Sequence, residues 1–253
     1  LQRVCDEYGA NTVSAYMQYV QDNAEQTLRA CLSDLSDGEF CYAMDDGTQF
    51  RVRIEVNQAQ QSAVVDFSGT GYRPDQPMHP GNFNAPTSVV YAAVLYSFRA
   101  LVDKPMPLNA GFFKPLTIKV PAESIIAPVF PAAVVSGNVE TAQYLTDCMM
   151  GALNLMAGCQ GTNNNFTFGD DEHQYYETLC GGVGASNQGT GASGVHSHMT
   201  NSRLTDPEIL EQRFPVMLEM FHIRAMSGGD GEFGVGHGVE RHIRFLKNMR
   251  ADI

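Results

Sequence analysis

The stretch Tyr175–Val216, YYETLCGGVGASNQGTGASGVHSHMTNSRLTDPEILEQRFPV, decides how the chain is read. It opens with an aromatic-acidic cluster, Tyr175, Tyr176 and Glu177, and passes through Gly181–Gly194, where six of fourteen residues are glycine. It closes with His196, His198, Asn201, Arg203 and Asp206 within eleven residues. Glycine tolerates backbone conformations closed to other residues and lets a chain approach a ligand closely. Side chains able to move protons or hold anions follow directly, a pattern expected of a site on loops held by a scaffold. The same glycine density predicts mobile loops.

Working outward, the flanking elements predict an α+β fold of mixed helices and mostly antiparallel sheets with long glycine-rich loops. Val13, Tyr16, Met17, Val20, Ala24, Leu28 and Leu32 recur at helical spacing, predicting an amphipathic helix over 11–32 capped by Asn11 or Thr12. Strands are expected over 39–44, 50–56 and 62–67. Asp46-Gly47 turns the first pair, and Val52, Ile54 and Val56 alternate with charged residues. The glycines and prolines of 68–85 suggest a division into 1–75, a helix plus meander, and 76–253, a glycine-rich α+β region.

Beyond residue 85, a helix is expected from Pro86 to about residue 102 and a strand over 113–120, an edge strand because of Pro115. A third helix should cover 140–156. Strands at 163–168, 175–179 and 217–225 and a short helix after Pro207 complete the reading. Gly81-Asn82-Phe83-Asn84 and Ser136-Gly-Asn138-Val-Glu140 each place amides at a helix start, where backbone N–H groups and the dipole favour an anion or a substrate carbonyl. A simple cap is the other reading of both.

The formal net charge is −12, with 28 acidic against 16 basic residues and no basic cluster, which speaks against nucleic acid as a partner. No apolar run approaches the roughly 20 residues that span a bilayer, so no membrane partner is expected. Six scattered cysteines without a C-x-x-C pair read as free thiols of a reducing, cytoplasmic compartment. Leu1 with no charged n-region behind it suggests part of a longer chain without a signal peptide. The sequon at Asn165 carries little weight in that setting.

Two segments fit G-x-G-x-x-G, at Gly189 and Gly229, but neither follows a strand and opens a helix with an acidic residue after it, so a dinucleotide site is not indicated. His196-x-His198 would put both imidazoles on one face of a strand. That suits a metal with Asp206 or Glu177 as oxygen ligand, acid–base or substrate work, or plain backbone hydrogen bonding. Arg203 offers a fork for a carboxylate or phosphate, or an ion pair locking the turn before Pro207. Asp206, in Thr-Asp-Pro-Glu, is also a good helix cap.

YYET–GG–GA, HSHMTNSRLTDPEILEQRFPV, GNFNAP, SGNVETAQ and the terminal SGGDGEFGVGHGVER together resemble the hydantoinase B/oxoprolinase family, over most of 82–241. The resemblance implies a B half of an ATP-dependent enzyme that opens 5-oxoproline or a hydantoin. In that scheme an ATPase-like A half or subunit, using ATP and Mg, phosphorylates the cyclic amide, and the B half hydrolyses the intermediate within an oligomeric assembly. Taken with that scheme, His198, His196, Glu177 and Arg203 are the candidate chemical set, and Asn82, Asn84, Asn138, Glu140, Asn201 and Asp206 the candidate substrate contacts. The family's acidic-and-histidine motif for a divalent metal lies upstream of the region matching Leu1, so neither a metal nor another cofactor is expected on this fragment. Gly236-His-Gly238 departs from an arginine-rich form of the last glycine block. A non-catalytic scaffold portion, or a fragment of an acetone-carboxylase-type α subunit, are the other readings.

Overall fold

The computed structural model describes residues 1–253. Helix α1 (Gln2–Tyr8) meets α2 (Ala10–Leu32) at Gly9, whose φ of 83° breaks the helix. α2 therefore starts ahead of Asn11 and Thr12, and no side chain caps it. Its C-terminal half buries Ala24, Leu28 and Leu32, the end of the expected apolar stripe, whereas Tyr16, Met17 and Val20 at its start are exposed. Strands β1 (Gly38–Ala43), β2 (Gln49–Asn57) and β3 (Ser62–Asp66) form the predicted antiparallel meander. Phe50, Val52 and Ile54 face the core while Arg51, Arg53 and Glu55 face solvent.

α3 (Thr87–Leu101) begins directly after Pro86. β4 (Leu116–Lys119) joins the sheet edge beside β3, running parallel to it. It is shorter than the periodicity suggests because residues 110–113 turn as a 3-10 helix, started by the Asn109 side chain accepting from Gly111 N–H. α4 (Thr141–Ala152) is more than half buried and packs against α3, β1 and β2. It stops short of the expected residue 156 because Asn154 takes a left-handed conformation, φ 53°, that ends the hydrogen-bonding pattern. One hydrophobic cluster of 22 buried residues runs from Ala24 to Ala152, so residues on both sides of position 75 share it.

The second half is built differently. β5 (Asn164–Gly169) and β6 (Gln174–Leu179) form a hairpin, to which β11 (Arg250–Asp252) adds a third strand. β7 (Gly181–Gly182) pairs with β8 (Ser193–Val195). α5 (Pro207–Arg213) precedes β9 (Val216–Ile223), which pairs with β10 (Val239–Phe245). Three of these elements (β7, β8 and β11) are only two or three residues long and carry no periodic signal, whereas β10 alternates Val239, Ile243 and Phe245 with Glu240, His242 and Arg244 and was not anticipated. Only Phe168, Tyr175, Leu210 and Val216 form a buried apolar cluster here.

The two glycine-rich stretches, expected to be loose, pack on each other. Gly236 N–H donates to Val183 O and Gly191 N–H to Gly234 O, both at 3.0 Å. A Cβ on Gly182 would lie 1.8 Å from Gly236 O, so the approach of the two backbones requires glycine at that point.

Candidate functional site

α4 supplies the frame of the site. On its first turn Gln143 is buried, and its amide holds the segment after β8 in place. Nε2 donates to Thr200 Oγ1 at 2.8 Å and to Asn163 Oδ1 at 2.9 Å, while Oε1 accepts from Met199 N–H at 3.1 Å. Thr200 also bonds Asn163 directly. Buried polar atoms of this kind are costly unless satisfied, so this network fixes the HSHMT segment to α4 and to the start of β5.

One turn further along α4, Asp147 points at His198. The two side chains are 1% and 3% exposed, with Asp147 Oδ1 3.1 Å from His198 Nε2. Cys159, in the loop after α4, brings its Sγ to 3.1 Å from the same nitrogen. Tyr96 Oη, from α3, stands 3.4 Å from His198 Nδ1. Burial by itself disfavours the imidazolium, but the bonds to Asp147 and Cys159 outweigh it and raise the His198 pKa to about 9. His198 also holds a left-handed backbone, φ 54°, uncommon for a residue other than glycine. Asp147, Cys159 and His198 each offer one ligand atom, all within 4.8 Å of one another, and so are the residues able to hold a metal.

Met199 and Thr200, directly after His198, help line a cleft of about 510 Å³ whose polar groups come from Asn138, Asn163, Tyr176, Thr178, Thr200 and Asn201. Residues from the SGN, NN, YET and HMTN segments, up to 64 positions apart between Asn138 and Ser202, meet on this one surface. Asn138 and Asn201 are exposed there.

The other sequence-predicted residues are placed as follows. Glu177 does not stand beside His198 and Arg203. Its Oε1 faces Arg241 Nε at 3.1 Å, both side chains 1% exposed, and its Oε2 accepts from Tyr175 Oη at 2.5 Å. Burial first, then that bond, pushes the Tyr175 phenol up to about 12. Arg241 further donates to Thr205 O at 3.2 Å and lies over the Phe221 ring. Arg203 is exposed, and neither the Asp206 nor the Glu208 pairing expected of it forms. Asp206 caps α5, accepting from Glu208 N–H at 3.1 Å.

His196 keeps both ring nitrogens buried without a partner, and burial lowers its pKa. Asn84 is fully buried, accepting from His79 N–H and donating to His79 O, Gly81 O and Ala133 O, so its amide is occupied by its own loop. Asn82 is exposed and Glu140 accepts from Thr162 Oγ1 at 2.5 Å. Sequence reasoning missed Gln143, Asp147, Cys159 and Arg241. Only the four-residue spacing of Gln143 and Asp147, polar positions on one face of an otherwise apolar helix, hinted at any of them.

The chain is similar to 5-oxoprolinase of Dictyostelium discoideum, 42% identical over all of this chain and 20% of that protein. It is likewise similar to 5-oxoprolinase 1 of Arabidopsis thaliana, 42% identical over all of this chain and 21% of that protein. It thus spans about a fifth of the length of these two relatives. Among solved structures, its fold is similar to ATP-dependent caprolactamase from Pseudomonas jessenii, with a TM-score of 0.79 at 22% identity, covering 98% of this chain and 46% of that one. Nucleotide-free acetone carboxylase gives the same TM-score at 16% identity, covering 99% and 38%. The family model described as hydantoinase B/oxoprolinase matches residues 1–253, and the chain belongs to that family.

Proposed function

We propose that this chain is the part of an ATP-dependent cyclic amidohydrolase that hydrolyses 5-oxoproline or a hydantoin after an ATPase-like A half or subunit has phosphorylated the ring amide. The observation that carries this reading is the convergence of four separate amide- and hydroxyl-rich segments on one cleft, with Met199 and Thr200, the residues directly after His198, in its wall. Its relatives are 5-oxoprolinases, and the amide-lined cleft suits a small ring bearing a carbonyl and an N–H.

In this reading Asn138, Asn163, Thr200 and Asn201 orient the ring. Arg203, exposed one residue beyond the cleft-lining Ser202, meets the substrate's carboxylate or phosphate. The trio around His198 activates the water that opens the ring. Glu177 and Arg241 hold β6 against β10, and so keep Tyr176 and Thr178 at the cleft wall.

A second reading, a scaffold portion of such an assembly, is favoured by one observation. α1 and α2 expose Val4, Tyr8, Tyr16, Met17 and Val20 around a groove of about 710 Å³. The test is a parallel assay of ADP and ring-opened product in the intact enzyme. His198→Ala should lower product at least about a hundredfold, the scale of one lost acid–base or activating group, while ADP formation continues uncoupled. Asn201→Ala should chiefly raise KM. Near-normal product formation in both folded variants overturns the hydrolase reading and favours the scaffold.

A further inference from the structure

We propose that Asp147, Cys159 and His198 form a binding site for a thiophilic divalent cation of the zinc type, with one coordination position left open. The proposal rests on the hydrolase reading for its purpose but not for its evidence, which is geometric.

Three observations carry it. First, the carboxylate and the thiol converge on the same imidazole nitrogen, Nε2, each at 3.1 Å. A catalytic relay would use the two ring nitrogens for the two partners, whereas a shared cation draws all ligand atoms to one point. An ion about 2.0 Å from nitrogen or oxygen and about 2.3 Å from sulfur fits these separations with angles of roughly 90–100°, close to the tetrahedral arrangement zinc prefers. Second, Asp147 Oδ2 is buried and has no hydrogen-bond partner, although its side chain is only 1% exposed. A buried carboxylate with one oxygen bare is expensive, and a cation bound at the carboxylate would offset its charge.

Third, each ligand is held from behind. Tyr96 Oη stands against His198 Nδ1, Gly184 N–H donates to Cys159 Sγ at 3.2 Å, and Cys159 N–H donates to Asp147 Oδ1 at 3.1 Å. Such outer contacts are characteristic of metal ligands, whose orientation they set. The one-sulfur, one-nitrogen, one-oxygen donor set selects zinc or cobalt over magnesium or calcium, which take oxygen.

Three protein ligands leave a fourth position, the arrangement of zinc sites that act on water rather than serve structure. Space for it exists on both sides. Asp147 lines a cavity of about 270 Å³, and Cys159 lines one of about 420 Å³ formed by the packed glycine stretches. A cation held here would be able to bind and activate a water at that open position.

The experiment titrates the intact, metal-stripped enzyme with Co²⁺ and follows the near-ultraviolet thiolate-to-cobalt charge-transfer band, then displaces cobalt with Zn²⁺. Only a cysteine ligand produces that band, so a metal held elsewhere by histidines and carboxylates does not imitate it. The expected result is one equivalent of thiolate-ligated cobalt per chain. The band should vanish in Cys159→Ser, and affinity should fall at least about a hundredfold in His198→Gln and about tenfold in Tyr96→Phe, the range seen when outer contacts are removed. Circular dichroism and melting curves establish that each variant is folded, and Tyr96→Phe, which removes one hydroxyl, keeps the test valid if a ligand variant unfolds. Absence of the band in the folded parent, or its persistence in Cys159→Ser, overturns the proposal. If ring opening depends on His198 while no thiolate-bound cobalt forms, the metal site falls and the hydrolase reading stands. If cobalt binds through Cys159 and ring opening is indifferent to His198, the site stands and the hydrolase reading falls.

Discussion

The region before residue 153 and the region after it solve the folding problem by opposite means. The first gathers 22 buried apolar residues into one cluster, with Phe50, Phe67, Phe98 and Phe112 among those fully buried. The second has an apolar cluster of four and is ordered instead by buried polar pairs, glycine-to-glycine backbone contacts and side-chain amides. Apolar burial is non-directional and roughly additive in area. Hydrogen bonds and ion pairs are directional, so they set side-chain positions as well as holding the chain together. The difference places the cleft and the trio at the seam, where helices of the first region present Asp147, Gln143 and Tyr96 to loops of the second.

That contrast can be broken experimentally. The largest effect is expected from Phe98→Ala, a fully buried ring of α3, which should cost about 3–5 kcal/mol and lower the denaturation midpoint of the whole first region. A loss below about 1 kcal/mol in a chemical melt would show that the apolar cluster is not what holds this half.

Next comes Arg241→Met. It strands Glu177 in a fully buried setting, and removing one partner of such a pair typically costs about 3–5 kcal/mol. The double variant Glu177→Leu with Arg241→Met should recover most of that loss, since it removes both charges. Equal destabilisation in single and double variants would mean that the arginine matters for its packing over Phe221 and not for its charge.

Gln143→Ala sharpens the comparison at the seam. It leaves Asn163, Thr200 and Met199 N–H short of partners, with an expected cost of about 1–3 kcal/mol. Faster amide exchange should be confined to residues near 197–201. Uniform acceleration across α4 would point to helix damage instead.

The smallest effect is a pH dependence in the turn between β5 and β6. Asp170 accepts from His173 Nδ1 and from the N–H groups of Glu172 and His173, and these bonds, the His173 side chain first, hold its carboxyl below the ordinary range. A depressed carboxylate stabilises the fold above its unfolded pKa of about 4, and that contribution is lost as pH falls through the lower folded value. Melting curves of the parent and Asp170→Ala should therefore differ at neutral pH and converge on acidification. A gap that persists at acid pH would assign the turn's stability to its backbone.

The sequence alone determined most of the first region and the family. Helical spacing over 11–32, strand alternation over 50–56 and Pro86 at the head of α3 are local signals, because each element's own residues carry the period that buries one face. Asp206 as a helix cap was legible for the same reason. β7, β8 and β11, two or three residues each, are too short to show a period, while the alternation of Val239, Ile243 and Phe245 in β10 was readable but stood behind a glycine-rich stretch. The site was legible only in part. His198 stood out by its neighbours in sequence, but its partners Asp147, Cys159 and Tyr96 lie 51, 39 and 102 positions away. Glu177 looked like a companion of Arg203, and tertiary structure gave it Arg241 instead, 64 residues downstream. Which charge meets which is decided by burial and close packing between distant elements, because only the assembled fold removes the water that would otherwise keep each group satisfied on its own.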